Sequence, residues 1–242
     1  MHYEPGQMTT APNRLGAAGD NGDIVSAWLT NLDFDWGEAA RGCRTRQFAK
    51  DETLFLEGQA ADTVYVIQEG RVRLTSFGFD GKERHLMILG VNGLAGDCAL
   101  LSTRKYVVSA VAASDAVVSV VPRSTMLDAL SRDLQLADQH RALSSMRFRI
   151  MLRHVAVQGS NSSQRRVCLH LLDLVKSYGA AHALGAVISI SFTQQEMGSI
   201  CGLSRVSVSH IFTQLERKQV IKRAGRLVVI VDAARLEVLS RS

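Results

Sequence analysis

The sequence predicts an α+β chain built from a domain of short strands, one long helix, and a C-terminal winged helix-turn-helix. Three observations predict it. Short apolar runs recur from Cys43 to Val121 at roughly ten-residue spacing, with glycines between them, the pattern of a sandwich or barrel. From Ser124 to about Gly159 the apolar period becomes helical. Near the C-terminus two capped helical segments enclose a glycine turn. The 242 residues, 46% hydrophobic and 21% charged with 3 prolines, suit one or two globular domains.

The first 22 residues, rich in Gly, Ala, Pro, Thr and Asn, lack the apolar core of a signal peptide and read as a disordered arm. The strand domain is assigned to residues 23–123. Thr53-Leu54-Phe55-Leu56 precedes Glu57-Gly58, and Val64-Tyr65-Val66-Ile67 precedes Glu69-Gly70. Arg71 to Phe77 leads into a hairpin turn at Phe79-Asp80-Gly81-Lys82. His85–Leu89, Val107–Ala113 and Ala116–Val121 complete the set. Pro122 ends the last strand, and Ser124 or Thr125 is placed to cap a helix.

That helix, with a hinge at Gly159-Ser160-Asn161-Ser162, occupies residues 124–160. Leu143, Met146, Ile150 and Val157 fall on one face, and Phe148, Leu152 and Val155 on another. Two apolar stripes on one helix need two partners, the strand domain and a second copy of the chain. Leu143, Met146, Ile150 and Val157 are taken as the dimer stripe.

Residues 161–242 form the third unit. A helix over Gln164–Tyr178 ends at Gly179, and Val187–Ile190 is a strand. Thr193-Gln194-Gln195-Glu196 has the spacing of a capping box. Gly198 supplies the small residue where two helices cross, Gly202 the turn, and Ser204 the second cap. Met197, Cys201, Leu203, Val208 and Ile211 are the shared core. The second helix then presents Arg205, Val206, Ser207, Ser209 and His210, with Thr193, Gln194 and Ser204 at the helix starts. Arg205 has the geometry to chelate guanine O6 and N7, and Val206 offers an apolar surface for a thymine methyl. Lys222, Arg223 and Arg226 lie on a hairpin wing directed at phosphates. Charge agrees: residues 160–242 carry 11 Lys/Arg against 5 Asp/Glu, residues 1–159 carry 17 against 18.

These motifs resemble the cyclic-AMP receptor protein / fumarate–nitrate regulator (Crp/Fnr) family of bacterial transcription factors. The resemblance covers about Cys43–Leu239, strongest at Phe192–Arg217, the Asp80-Gly81-Lys82-Glu83 turn, and Gly90–Leu101. It implies a cyclic-nucleotide-binding-like β-roll that senses an effector, and a homodimer on a palindromic operator in double-stranded DNA. It also implies contact with RNA polymerase. It places the effector pocket at Gly96, Asp97, Cys98, Ala99, Arg104, Lys105, Val107, Val108, Met151 and Leu152.

The departures from the family bear on the ligand. Cyclic-AMP binders carry Arg-Ser on the phosphate where Val107-Val108 stands, and two valines supply neither cation nor donor. Met151 and Leu152 replace the Thr-Ser that contacts adenine. Cyclic AMP is therefore disfavoured, with Arg104 or Lys105 the remaining candidates for a phosphate contact. An iron–sulfur cluster is disfavoured because no cysteine precedes Cys43. Cys98 and His85 are competent haem ligands, which keeps a haem-based gas sensor as an alternative. Val206 and His210 stand where the family commonly has Glu and Arg, so a different half-site is expected.

The four cysteines have neither zinc nor disulfide spacing. No run is long enough for a membrane span, and the cytoplasm is the expected location. An enzyme is not expected: there is no nucleophile elbow, His-Glu-x-x-His or P-loop, and Gly90-x-x-Gly93-x-x-Gly96 sits between strands. A cyclic-nucleotide-type regulatory subunit that binds protein instead of DNA is the remaining alternative; an intact helix-turn-helix argues against it.

Overall fold

The computed structural model of the chain describes residues 25–78, 81, 83–100, 104–158 and 162–241. The expected N-terminal arm and the Gly159-Ser160-Asn161 part of the hinge lie outside the described residues, as do Phe79, Asp80 and Lys82 of the hairpin turn.

The strand domain holds β1 (Trp28–Leu29), α1 (Gly37–Ala40), β2 (Thr45–Phe48), β3 (Thr53–Phe55), β4 (Thr63–Glu69), β5 (Val72–Phe77), β6 (Glu83–Leu89), β7 (Leu94–Ala95), β8 (Ser109–Ala112) and β9 (Ala116–Pro122). They form two sheets, ordered β1-β6-β5-β8-β3 and β2-β9-β4-β7. The sheets share a core of Val, Ile, Leu, Phe and Trp side chains, including Phe48, Ile67, Ile88, Leu89 and Leu94. Glycine makes the tight turns: Gly70, at φ 74°, lies so close to the Asp115 carbonyl that any Cβ would clash. The inner rings stack, Phe55 on Tyr106 at 3.7 Å between centroids and Phe55 on Tyr65 at 5.6 Å.

The single long helix expected after Pro122 is two helices. α2 (Arg123–Arg132) starts directly behind Pro122 with no side-chain cap from Ser124 or Thr125. The chain breaks at Asp133, whose Oδ1 accepts from the N–H groups of Gln135 (2.8 Å) and Leu136 (3.1 Å) and so starts α3 (Leu134–Gln158).

The two stripes of α3 exist, and the one expected to face a second copy packs inward. Leu143, Met146, Ile150 and Val157, taken as the dimer stripe, are buried within the chain at 0–2% exposure. Phe148, Leu152 and Val155 are instead 65%, 57% and 67% exposed. Each large side chain moved from water into the core contributes about 1.5–3 kcal/mol, and packing on the sheets fixes which stripe goes inward.

The third unit comprises α4 (Ser163–Tyr178), β10 (Gly179–His182), β11 (Gly185–Ile188), α5 (Gln194–Cys201), α6 (Arg205–Arg217), β12 (Ile221–Ala224), β13 (Leu227–Ile230) and α7 (Ala233–Arg241). β10-β11-β13-β12 form one antiparallel sheet. β10 has no counterpart in the sequence reading: Gly179 ends α4 and begins a strand at once.

Candidate nucleic-acid interface

Local chemistry builds the helix-turn-helix as its spacing requires. The Thr193 hydroxyl accepts from the Glu196 N–H (3.0 Å), and the Glu196 carboxylate accepts from the Thr193 N–H (2.7 Å). Gly202 adopts the left-handed conformation at φ 65°. A Cβ on Gly198 would come within 2.7 Å of the Leu203 carbonyl, so the two helices cross there only over glycine. Ser204 Oγ then accepts from the Ser207 N–H at 3.0 Å and starts α6. Met197, Cys201, Val208 and Ile211 are buried between the helices, while Leu203 is half-buried at the edge.

The other face of α6 is open. Arg205 and His210 are exposed, Val206 is 77% exposed, and Ser207 and Ser209 are half-buried. Arg205, Val206, Ser209 and His210 share one shallow groove with Gln194 at the start of α5. Three residues absent from the sequence reading, Thr213, Gln214 and Arg217, line the same groove. Gln214 Nε2 lies 2.9 Å from His210 Nε2. The helical period alone would have found Gln214 and Arg217, which sit one and two turns beyond His210 and Ser209.

The wing forms between β12 and β13 over Gly225, at φ 62°. Lys222, Arg223 and Arg226 are all exposed. They are not equivalent, because Arg223 donates through Nε to Glu216 at 2.8 Å and forms a second bond through Nη2. The hydrogen bonds from Arg223 hold the Glu216 carboxyl below its usual range, so the pair stays charged and mutually neutralised.

The residues expected to form one effector pocket are dispersed. Gly96 (φ 88°) packs against Tyr106 and the Thr63 carbonyl, and Ala99 is buried. Asp97 is 3% exposed and accepts from Arg147 Nη1 through both oxygens, at 2.6 and 2.7 Å. Arg147 also donates to the Leu94 carbonyl, and His140 Nε2 stands 3.6 Å from Asp97. Burial raises the Asp97 pKa, but the Arg147 charge and its hydrogen bonds, with His140 close by, outweigh it and hold the carboxyl at about 2. Arg104, Lys105 and Val107 lie at the surface, Val108 is half-buried, and Leu152 faces outward on α3.

Met151 belongs elsewhere. With His85, His154 and Val155 it lines a cleft of about 600 Å³ whose far wall is Gly198, Ser199, Gly202 and Leu203 of the helix-turn-helix. His85 thus faces that cleft, whereas Cys98, an exposed residue, lies beside Asp97 and Arg147. Among the described residues, no three or more His, Cys, Asp or Glu side chains gather as a metal site. Arg147 was absent from the sequence reading, because an arginine on a long helix gives no sign of pointing inward.

A capped helix-turn-helix with an open reading face and a basic wing defines a DNA-binding transcription regulator. Comparison with known proteins specifies it further. Residues 45–133 match the cyclic nucleotide-binding domain, and residues 165–239 match the Crp-like helix-turn-helix domain. The chain belongs to the Crp/Fnr family, whose members bind DNA and act as dimers. It is 27% identical over 220 residues to the nitrogen fixation regulation protein FixK of Azorhizobium caulinodans, covering 83% of this chain and 87% of that one. It is 27% identical over 192 residues to the cyclic AMP receptor protein of Thermus thermophilus, covering 79% and 86%. Among solved structures, FixK2 from Bradyrhizobium japonicum shares the fold with a TM-score of 0.69 at 24% identity, over 83% of this chain and 98% of that one. No described helix is long and apolar enough to cross a membrane.

Proposed function

We propose that the chain works in the cytoplasm as a homodimer on a palindromic operator, regulating transcription in contact with RNA polymerase. The observation that carries this reading is the open face of α6, where Arg205, 77%-exposed Val206, Ser209 and His210 share one groove. Arg205 chelates a guanine, Val206 packs on a thymine methyl, and Ser209 and His210 meet base edges or phosphates. Thr193, Gln194, Ser204 and Ser207 at the helix starts, with Lys222 and Arg226 on the wing, set the register on the backbone. Arg223 serves mainly to hold the wing on Glu216. The apolar stripe Phe148, Leu152 and Val155 is the dimer seam.

Cyclic AMP is not the effector. Val107 and Val108 offer its phosphate no cation, and Arg104 and Lys105 are exposed at the surface while Asp97 is buried. Any effector is therefore of another class. Fluorescence anisotropy against the chain's own upstream DNA, with and without cyclic AMP, tests this. Sequence-specific binding indifferent to cyclic AMP is expected; binding only in its presence overturns the reading of the two valines.

A further inference from the structure

The segment from Val25 to Trp36 lies outside both matched domains and ties them together. It is woven into the strand domain on one side. β1 pairs parallel to β6, with Trp28 opposite Ile88 and Leu29 opposite Leu89. The Trp36 indole N–H donates to the Asn92 carbonyl at 2.8 Å, and Asn92 Nδ2 donates to the Leu32 carbonyl at 3.0 Å.

On its other side the same segment grips α4. The Val25 N–H donates to Ser177 Oγ (3.1 Å), the Thr30 N–H donates to Tyr178 Oη (3.2 Å), and Tyr178 Oη donates to the Trp28 carbonyl. The Trp28 ring, 1% exposed, stands edge-on to His170 at 6.3 Å and against Phe192 at 5.7 Å. His170 lies fully inside this joint, where burial, followed by the charges of His154, Arg153 and Arg166, pushes its pKa down to about 3. It is neutral at any physiological pH and acts as packing.

A second fastening comes from the turn between β4 and β5. Arg71 Nη1 donates to the Ser191 carbonyl at 2.7 Å, and Nη2 stands 3.2 Å from Glu196 Oε1. Glu196 is the carboxylate that closes the capping box of α5. One arginine of the strand domain thus holds the first helix of the DNA-reading unit at its start. Both fastenings leave the groove of Arg205, Val206, Ser209 and His210 open, while Arg71 borders a second groove with Thr193, Gln194 and Arg226, so binding to a single half-site is the control for any direct backbone contact.

We infer that Arg71 and the Trp28–Tyr178 joint are positioning elements for DNA binding: they hold the helix-turn-helix at one fixed setting on the strand domain, so that the dimer accepts one half-site spacing. This rests on the palindrome reading above. Two reading heads joined by loose hinges tolerate changes of spacing, whereas rigidly mounted heads engage both half-sites at once only where the geometry matches.

The test uses the full chain, Arg71→Ala and Tyr178→Phe singly and together, and Arg71→Lys as the conservative variant. The probe is DNA selected in vitro by the wild type: a half-site duplex, the palindrome, and palindromes lengthened or shortened by one and two base pairs. Wild type should lose on the order of 100-fold in affinity on the altered spacings. The double variant should bind the half-site unchanged, bind the palindrome about tenfold more weakly, and lose most of its preference among spacings. Arg71→Lys, without the bidentate fork, should fall between. Undiminished spacing preference in the double variant overturns the inference, and so does tighter binding, which would make the joint an inhibitory latch. A DNA-free readout separates this from the dimer reading. Calorimetry should show one unfolding transition in wild type and two in the double variant. An unchanged single transition overturns the docking role whatever the DNA result, whereas a monomer in sedimentation overturns only the dimer.

Discussion

Val206 lies farthest into solvent among the buried-prone residues of α6, at 77% exposure. Isolating a valine this way costs solvation unless a partner covers it, and a thymine methyl is the apolar partner a major groove offers. Val206→Glu would present an acceptor suited to the cytosine N4 amino group. Selection of bound sequences should show one half-site position moving from A·T toward C·G, worth about 1–3 kcal/mol of discrimination. An unchanged selected motif would remove Val206 from the readout. The wing cations divide in the same way. Lys222→Ala and Arg226→Ala should each lower the slope of log affinity against log salt by about 1 per protomer. Arg223→Ala should lower it less, because Glu216 already neutralises that charge. Equal slopes for all three variants would show that the Glu216 pair opens on DNA.

At the scale of elements, the reading unit and the short strands of the N-terminal domain were legible in the sequence, and the placement of the expected pocket residues was not. The Thr193–Glu196 box, Gly198, Gly202 and Ser204 act over three to seven residues, so their spacing specifies their contacts directly. The Asp133 break was equally local, a helix-starting aspartate within a helical period, yet the continuous periodicity concealed it. The stripes of α3 show the opposite limit. Periodicity revealed two apolar faces but carried no information about which one meets the sheets, since that depends on contacts far along the chain. The pocket residues were mapped from family positions, and α3 places Met151 and Leu152 on different surfaces. The exposed stripe makes a prediction at this scale. Leu152→Glu puts a charge in the middle of Phe148, Leu152 and Val155 and should convert the dimer to monomer in sedimentation equilibrium. Protomer stability should change by less than about 0.5 kcal/mol, as for an exposed site. A dimer that survives with unaltered affinity would place its seam elsewhere.

Over the whole molecule, the segment Val25–Trp36 was invisible in the sequence because its partners, Ile88, Asn92, Ser177 and Tyr178, lie tens to more than a hundred residues away. The buried Asp97–Arg147 pair, which joins the sheets to α3, was hidden for the same reason. It also governs stability in acid. The Asp97 pKa falls from its ordinary 3.8 to about 2 on folding. A lowered carboxylate stabilises above its unfolded pKa, and that contribution is lost as pH falls from about 4 through 2. The full contribution is about 2 kcal/mol. Urea titrations at descending pH should record that loss in wild type. Arg147→Met should cost about 3–5 kcal/mol at neutral pH, because it strands a buried carboxylate, and should lessen or reverse the acid loss. A variant with unchanged midpoints at both pH values would sink the assignment.

Arg147 and Phe148 are neighbours, one turned to the core and the other to solvent. A guanidinium nitrogen shared between two carboxylate oxygens, with its twin on the Leu94 carbonyl, cannot swivel. It therefore sets the rotational phase of α3. A roll by a single residue, about 100° of azimuth, would carry Phe148 under the sheets and turn a core side chain out to water. On the proposed seam, two copies keyed to the same azimuth would match. A helix phased differently would offer that seam a polar edge, so the buried pair would also select which chains dimerise.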